Sequence, residues 1–169
     1  YNPFGGDPGS TSSFYGVYLT ASDALGGLEN VISNNAIYDI NSSGSIYGVY
    51  NSSSDNVWCY HNTVSFDDLT TSTTSSAYAF YQVTIAAGLE FKNNLISIAR
   101  TGQGTKFGLY FSTTGTTYVS DNNNFYITAT QAHVGFNGAN RTTLAAWQAA
   151  SAQDASSVTI NPYYTNPAT

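Results

Sequence analysis

Charge is what this sequence has least of. Of its 169 residues only 8% are Lys, Arg, Asp or Glu, against roughly a quarter in ordinary soluble domains. The cations are Lys92, Arg100, Lys106 and Arg141, too few to build a phosphate-neutralising stripe at a pI near 4.3, so nucleic acid is not an expected partner. A single cysteine, Cys59, excludes an internal disulfide, and its setting in Val57-Trp58-Cys59-Tyr60 predicts a buried thiol. Methionine is absent even from position 1; the opening Tyr1-Asn2-Pro3-Phe4 predicts that a leader or a longer precursor has been removed. No apolar run approaches the ~20 residues that cross a bilayer, so membrane insertion is not expected.

Aromatic residues are abundant instead, with 14 Tyr, 9 Phe and 2 Trp in a chain of net charge −6. That balance excludes disorder and predicts one folded domain spanning residues 1–169, with a packed core under a surface of Asn, Ser, Thr, Gln and Tyr. Low charge with abundant Thr, Ser, Asn and Tyr is the balance of exported surface proteins, and predicts an extracellular or cell-surface location.

Two short patterns alternate along the chain. The first is aromatic-small-apolar-aromatic: Tyr15-Gly16-Val17-Tyr18, Tyr47-Gly48-Val49-Tyr50, Tyr78-Ala79-Phe80-Tyr81 and Phe107-Gly108-Leu109-Tyr110. The second is an Asn-containing pair ahead of an apolar position: Asn34-Asn35-Ala36-Ile37, His61-Asn62-Thr63-Val64, Asn93-Asn94-Leu95-Ile96 and Asn122-Asn123-Asn124-Phe125. The repeat unit is therefore about 30 residues with two or more short strands, too few for a four-stranded propeller blade of ~40 to 45 residues. Ser/Thr/Gly/Asn connections of variable length suit a solenoid, whose windings bulge outward without disturbing the stack. The predicted fold is all-β, a right-handed parallel β-helix of about four to five coils with one short C-terminal helix.

In such a stack each position recurs ~4.8 Å above itself, so Asn35, Asn62, Asn94 and Asn123 are expected to hydrogen-bond in one column. His61 stands where other windings carry Asn34 and Asn93, and is expected to take a place in that ladder. Val17, Ile32, Ile37, Val49, Val64, Phe80, Phe91, Ile96, Leu109 and Phe125 are the expected inward residues. Residues 1–13 read as an N-terminal extension or cap, 14–127 as repeated coils, and 128–169 as a closing strand, short helix and extended tail. The helix signal is Arg141 to Ala150, with a Thr N-cap and with Leu144 and Trp147 on one face.

Asn56-Val57-Trp58-Cys59-Tyr60-His61-Asn62-Thr63-Val64 resembles the "n-v-y-x-N-T-v" coil of pectate-lyase-like right-handed β-helix proteins. Leu144-Ala145-Ala146-Trp147-Gln148, followed by Gln153-Asp154, Ser156-Ser157 and Asn161-Pro162, resembles the segment that closes such helices in large exported bacterial proteins. The resemblance covers most of residues 14 to 167 and implies the fold, an exported surface setting and a chain that continues past Thr169. Lyases of that superfamily carry clustered carboxylates for calcium and an Arg or Lys base. Here Asp67-Asp68 is the one adjacent acidic pair, and strand neighbours point to opposite faces. Asp39 with Asp67, and Lys92 with Asp121, could meet on successive coils, yet neither set amounts to carboxylates plus a base.

No catalytic residue, cofactor or metal is therefore expected; His61 and His133 are too isolated to form a metal site. The expected function is that of a non-enzymatic structural or adhesive module, with a lyase or glycoside hydrolase fragment as the alternative. Expected partners are a polysaccharide, further copies stacked end to end into a fibre, or flanking domains of a longer chain. Tyr18, Tyr50, Tyr81 and Tyr110 are the candidate carbohydrate contacts, flat rings packing on sugar faces while amides meet hydroxyls. Asn41, Asn51 and Asn140 begin Asn-x-Ser/Thr sequences, which read as glycosylation acceptors only in a source that glycosylates such sites.

Overall fold

A computed structural model describes residues 10–164. The chain winds as a parallel β-solenoid of about four turns, each turn laying one strand on each of three sheets. Sheet A stacks β1 (Phe14–Leu19), β4 (Ile46–Asn51), β7 (Ala77–Gln82), β10 (Lys106–Phe111) and β13 (Ala132–Asn137) in that order, closed by the antiparallel β14 (Asn140–Arg141). Sheet B stacks β2 (Asn30–Ser33), β5 (Val57–Tyr60), β8 (Leu89–Lys92) and β11 (Tyr118–Asp121). Sheet C stacks β3 (Ala36–Ile37), β6 (Thr63–Phe66), β9 (Leu95–Ile98) and β12 (Asn124–Ile127). Each winding thus carries three strands, the asparagine pattern spanning the corner between sheets B and C.

That corner explains the Asn pairs. Asn34, His61, Asn93 and Asn122 turn it with φ of 56°, 54°, 57° and 57°, the left-handed region that asparagine enters more readily than most residues. His61 therefore occupies the bend with its side chain exposed, not the ladder place expected for it; the ladder residue of that winding is Asn62.

Sheet A solves a different problem. Two aromatic residues three apart would fall on opposite faces of a regular strand. In β4 and β7 the alternation slips, so that the small residue and its apolar successor are both buried while both aromatics stay on the outer face. The small residue is required: a Cβ on Gly48 would lie 2.6 Å from the Ala79 carbonyl oxygen and 2.9 Å from Val64.

The core is a column of aliphatic and aromatic residues inside the coil. Val49, Val64, Phe80, Phe91, Ile96, Leu109 and Phe125 are buried as expected, whereas Val17, Ile32 and Ile37 of the first winding are only half-buried. At the other end the chain turns back over the stack. Helix α1 (Leu144–Ser151), capped by the Thr143 hydroxyl accepting from the Ala146 amide at 3.1 Å, seats Trp147 fully buried above Phe111 and Tyr118. Gly135 holds the position that Val49, Phe80 and Leu109 fill in earlier windings, and a Cβ there would come within 2.4 Å of the indole. The indole supplies the core side chain that β13 omits. A recess of about 450 Å³ remains between β12 of sheet C and α1. The N-terminal cap expected over residues 1–13 lies largely outside the described residues.

Candidate binding surfaces

The amide column runs through the B–C corner with a fixed polarity. Asn35 donates its backbone N–H and Nδ2 to Asn62 Oδ1 at 3.1 and 3.0 Å, Asn62 does the same to Asn94 at 3.0 and 3.2 Å, and Asn94 to Asn123 at 2.9 and 3.1 Å. The second Nδ2 hydrogen of Asn62, Asn94 and Asn123 goes to the carbonyl of Ile32, Cys59 and Phe91, each at 2.8 Å. The amide-to-amide bonds all point toward the C-terminal end, while the second Nδ2 hydrogen points back to the preceding winding; at the C-terminal end Asn123 needs an acceptor that is not another asparagine. Asp154 and Ser157 supply it: Asn123 Nδ2 reaches Asp154 Oδ1 at 3.0 Å and its amide reaches the Ser157 hydroxyl at 2.8 Å. The same buried carboxylate takes the Trp147 indole N–H at 2.7 Å, so ladder and cap share one acceptor. Reading the repeat by its asparagines missed Asp154, because the column changes residue type where the repeat ends.

The outer face of sheet A carries two aromatic columns. Tyr18, Tyr50, Tyr81, Tyr110 and Phe136 stack with centroids 4.6 to 5.4 Å apart, and Tyr15, Tyr47, Tyr78, Phe107 and His133 stack beside them at 4.8 to 5.6 Å. His133 and Phe136 extend the columns into a fifth winding that the sequence pattern did not reveal, the Gly and the apolar residue having exchanged places. The faces of Tyr50, Tyr81 and Tyr110 are engaged by rings above and below, so these residues offer edges and hydroxyls outward rather than the flat faces expected to pack on sugars. Burial, and then the neighbouring phenols, raise the pKa of Tyr47, Tyr50, Tyr81 and Tyr110 from 10.0, that of Tyr81 to about 12.

The scarce cations are mostly structural. Arg100 is fully buried and donates to the carbonyls of Ser42 at 2.6 Å, Gly44 at 3.3 Å and Ser75 at 3.4 Å, tying together the connections of successive windings. Lys106, equally buried, donates to Gly102 at 2.6 Å and Thr130 at 3.2 Å. Burial lowers the pKa of both. Burial likewise pushes the Cys59 thiol up, as expected for a buried cysteine. Asp67 is raised by burial, with Asp39 on the preceding winding adding to the shift, and no group of three His, Cys, Asp or Glu suited to a metal occurs among the described residues. Asn51 is buried and bonded to Ser54 through both ends of its amide, at 2.7 and 2.9 Å, so the folded chain does not present it for glycosylation.

The outer face of sheet B differs from that of sheet A. One row across it reads Val31, Trp58, Glu90, Val119 and the next reads Ser33, Tyr60, Lys92, Asp121. Beside them lies a groove of about 270 Å³ lined by Glu29, Asn56, Trp58, Gly88, Glu90, Thr117, Tyr118 and Val119 among others. Glu90 accepts from Lys92 Nζ at 2.6 Å and from the Tyr60 hydroxyl. Burial alone would raise Glu90, but these two partners outweigh it and hold the carboxyl below its usual range. Burial and then Glu90 push Tyr60 up. Among the described residues the ring contact of Trp58 is with Tyr60, at 5.6 Å and tilted 37°. Trp58 was visible in the sequence; its acidic neighbours were not, because they come from different windings.

Comparison with protein-family models, with curated proteins and with solved structures found no match.

Proposed function

We propose that the chain is a non-enzymatic structural or adhesive module of an extracellular or cell-surface protein, and that its walls contact carbohydrate. The observation that carries this reading is the use made of the few ionisable groups: Arg100 and Lys106 hold loops, Asp154 ends the amide column and Glu90 pairs with Lys92. Groups committed in this way are poorly placed to exchange protons with a substrate. The surface setting rests on low charge and on the pectate-lyase-like and exported-bacterial patterns around Trp58 and Trp147. Association through the ends is supported at the N-terminal winding, whose strand edges and apolar residues are uncovered by described structure; there a second copy, or a preceding winding of a longer chain, would fit. A fibre needs two such ends, and the capped C-terminal end favours pairs over long stacks.

One feature favours the alternative of a lyase or hydrolase fragment, namely Asp67 beside Asp39 with its pKa raised. Incubating the chain with neutral and acidic glycans, with and without calcium, separates the readings. Binding without cleavage is the expected result, and measurable turnover would overturn the proposal.

A further inference from the structure

Building on the carbohydrate reading above, we infer that the groove on the outer face of sheet B is a site for an amino sugar, a saccharide that carries a protonated primary amine. Ring availability comes first. The tyrosines of sheet A stack on one another, whereas Trp58 is flanked along its row by Val31 and Glu90, so an indole rather than a closed column borders the groove. Indole faces pack on sugar rings, and they also attract cations. A volume of about 270 Å³ suits a single sugar unit whose neighbours project into solvent.

Charge selects the kind of sugar. Glu29 and Glu90 line the groove, Asp121 stands in the adjoining row, and Lys92 is the lone cation of those rows. A saccharide bearing carboxylates meets repulsion there, in a chain of net charge −6, while an ammonium gains attraction from both glutamates. The fold already holds one ammonium in this setting: Lys92 Nζ lies 2.6 Å from Glu90, whose carboxylate also takes the Tyr60 hydroxyl. A ligand amine would take a similar place beside Glu29, with Lys92 as its competitor for Glu90.

The intact chain provides its own reporter, because Trp147 is sealed in the cap and Trp58 is the accessible indole. Tryptophan emission and acrylamide quenching are followed while adding a glucosamine tetramer, its N-acetylated form, a neutral glucose tetramer, an oligogalacturonate and a lysine tetrapeptide. The glucosamine tetramer is expected to shield Trp58 and to bind about tenfold more tightly than the neutral sugars, the gain of two partly screened ion pairs. Glu29→Gln with Glu90→Gln removes that preference, Lys92→Met strengthens amino-sugar binding, and Trp58→Phe removes the signal, each with an unchanged circular dichroism spectrum. Equal binding of neutral and amino sugars overturns the charge selection and leaves the carbohydrate reading standing. Binding of no saccharide overturns both, and a lysine peptide that binds as tightly as the amino sugar overturns the assignment to a sugar.

Discussion

At the C-terminal end of the stack the last amide, the last core position and the last strand of sheet A each meet a partner: Asp154, Trp147 and β14. At the N-terminal end, Tyr15, Tyr18 and Val31 of the first winding are 40%, 54% and 55% exposed, and Val17 is half-buried. The direction of the amide column gives a reason for the asymmetry. Along the column each asparagine donates its backbone N–H and one Nδ2 hydrogen forward to the next Oδ1, so the C-terminal end would strand N–H groups and the N-terminal end only the Asn35 Oδ1. Buried orphan N–H groups are rarer than under-satisfied carbonyls, which water serves readily at an exposed corner. The end that must be sealed is the donor end, and it is the one carrying the helix, the hairpin and the buried acid.

The comparison is broken most severely by Trp147→Ala. It empties the core position vacated by Gly135 and removes a donor from Asp154, so a loss of about 3–5 kcal/mol is expected in urea unfolding. A loss no larger than that of Tyr18→Ala, at the opposite end, would show that the cap does not hold the stack. Next comes a pair within the column. Asn94→Ala strands the Asn62 amide and the Cys59 carbonyl inside the coil and should cost about 3 kcal/mol, whereas Asn35→Ala, at the exposed end, should cost about 1 kcal/mol. Equal losses would mean that the column does not act through buried, unmatched groups.

The smallest effect is one of pH. Tyr47, Tyr50, Tyr81 and Tyr110 have folded pKa values above the ordinary 10.0, so the unfolded chain releases these protons first. The stability tied to their neutral form is complete below pH 10 and declines as pH climbs from there towards 12, the region where Tyr81 ionises in the fold. Urea midpoints on either side of pH 10, with Tyr81→Phe showing the shallower decline, measure it.

Much of the architecture was legible because a solenoid writes its vertical neighbours into a linear period. Tyr18, Tyr50, Tyr81 and Tyr110 recur at the interval of one winding, and the structure stacks them. The pattern lost sight of the fifth winding at His133 to Phe136, where Gly135 departs from the motif in favour of a ring contributed twelve residues later. It also misread His61, since a bend residue and a ladder residue adjacent in sequence have the same period. The burial of Arg100 and Lys106 was not legible, since nothing local marks a cation whose acceptors are carbonyls of other windings.

The sequence alone determined the winding: the spacing of aromatics, asparagines and small residues sets which side chains lie above one another, because a parallel stack maps period directly onto contact. Only the tertiary structure decided how the stack is closed and what its walls present. The acid that ends the amide column and the indole that completes the core join residues brought together by no period, and although Trp58 and Glu90 stand one winding apart in register, no repeated motif marks Glu29 and Glu90 as lining one groove with that indole. Their proximity is a consequence of three-dimensional packing across windings.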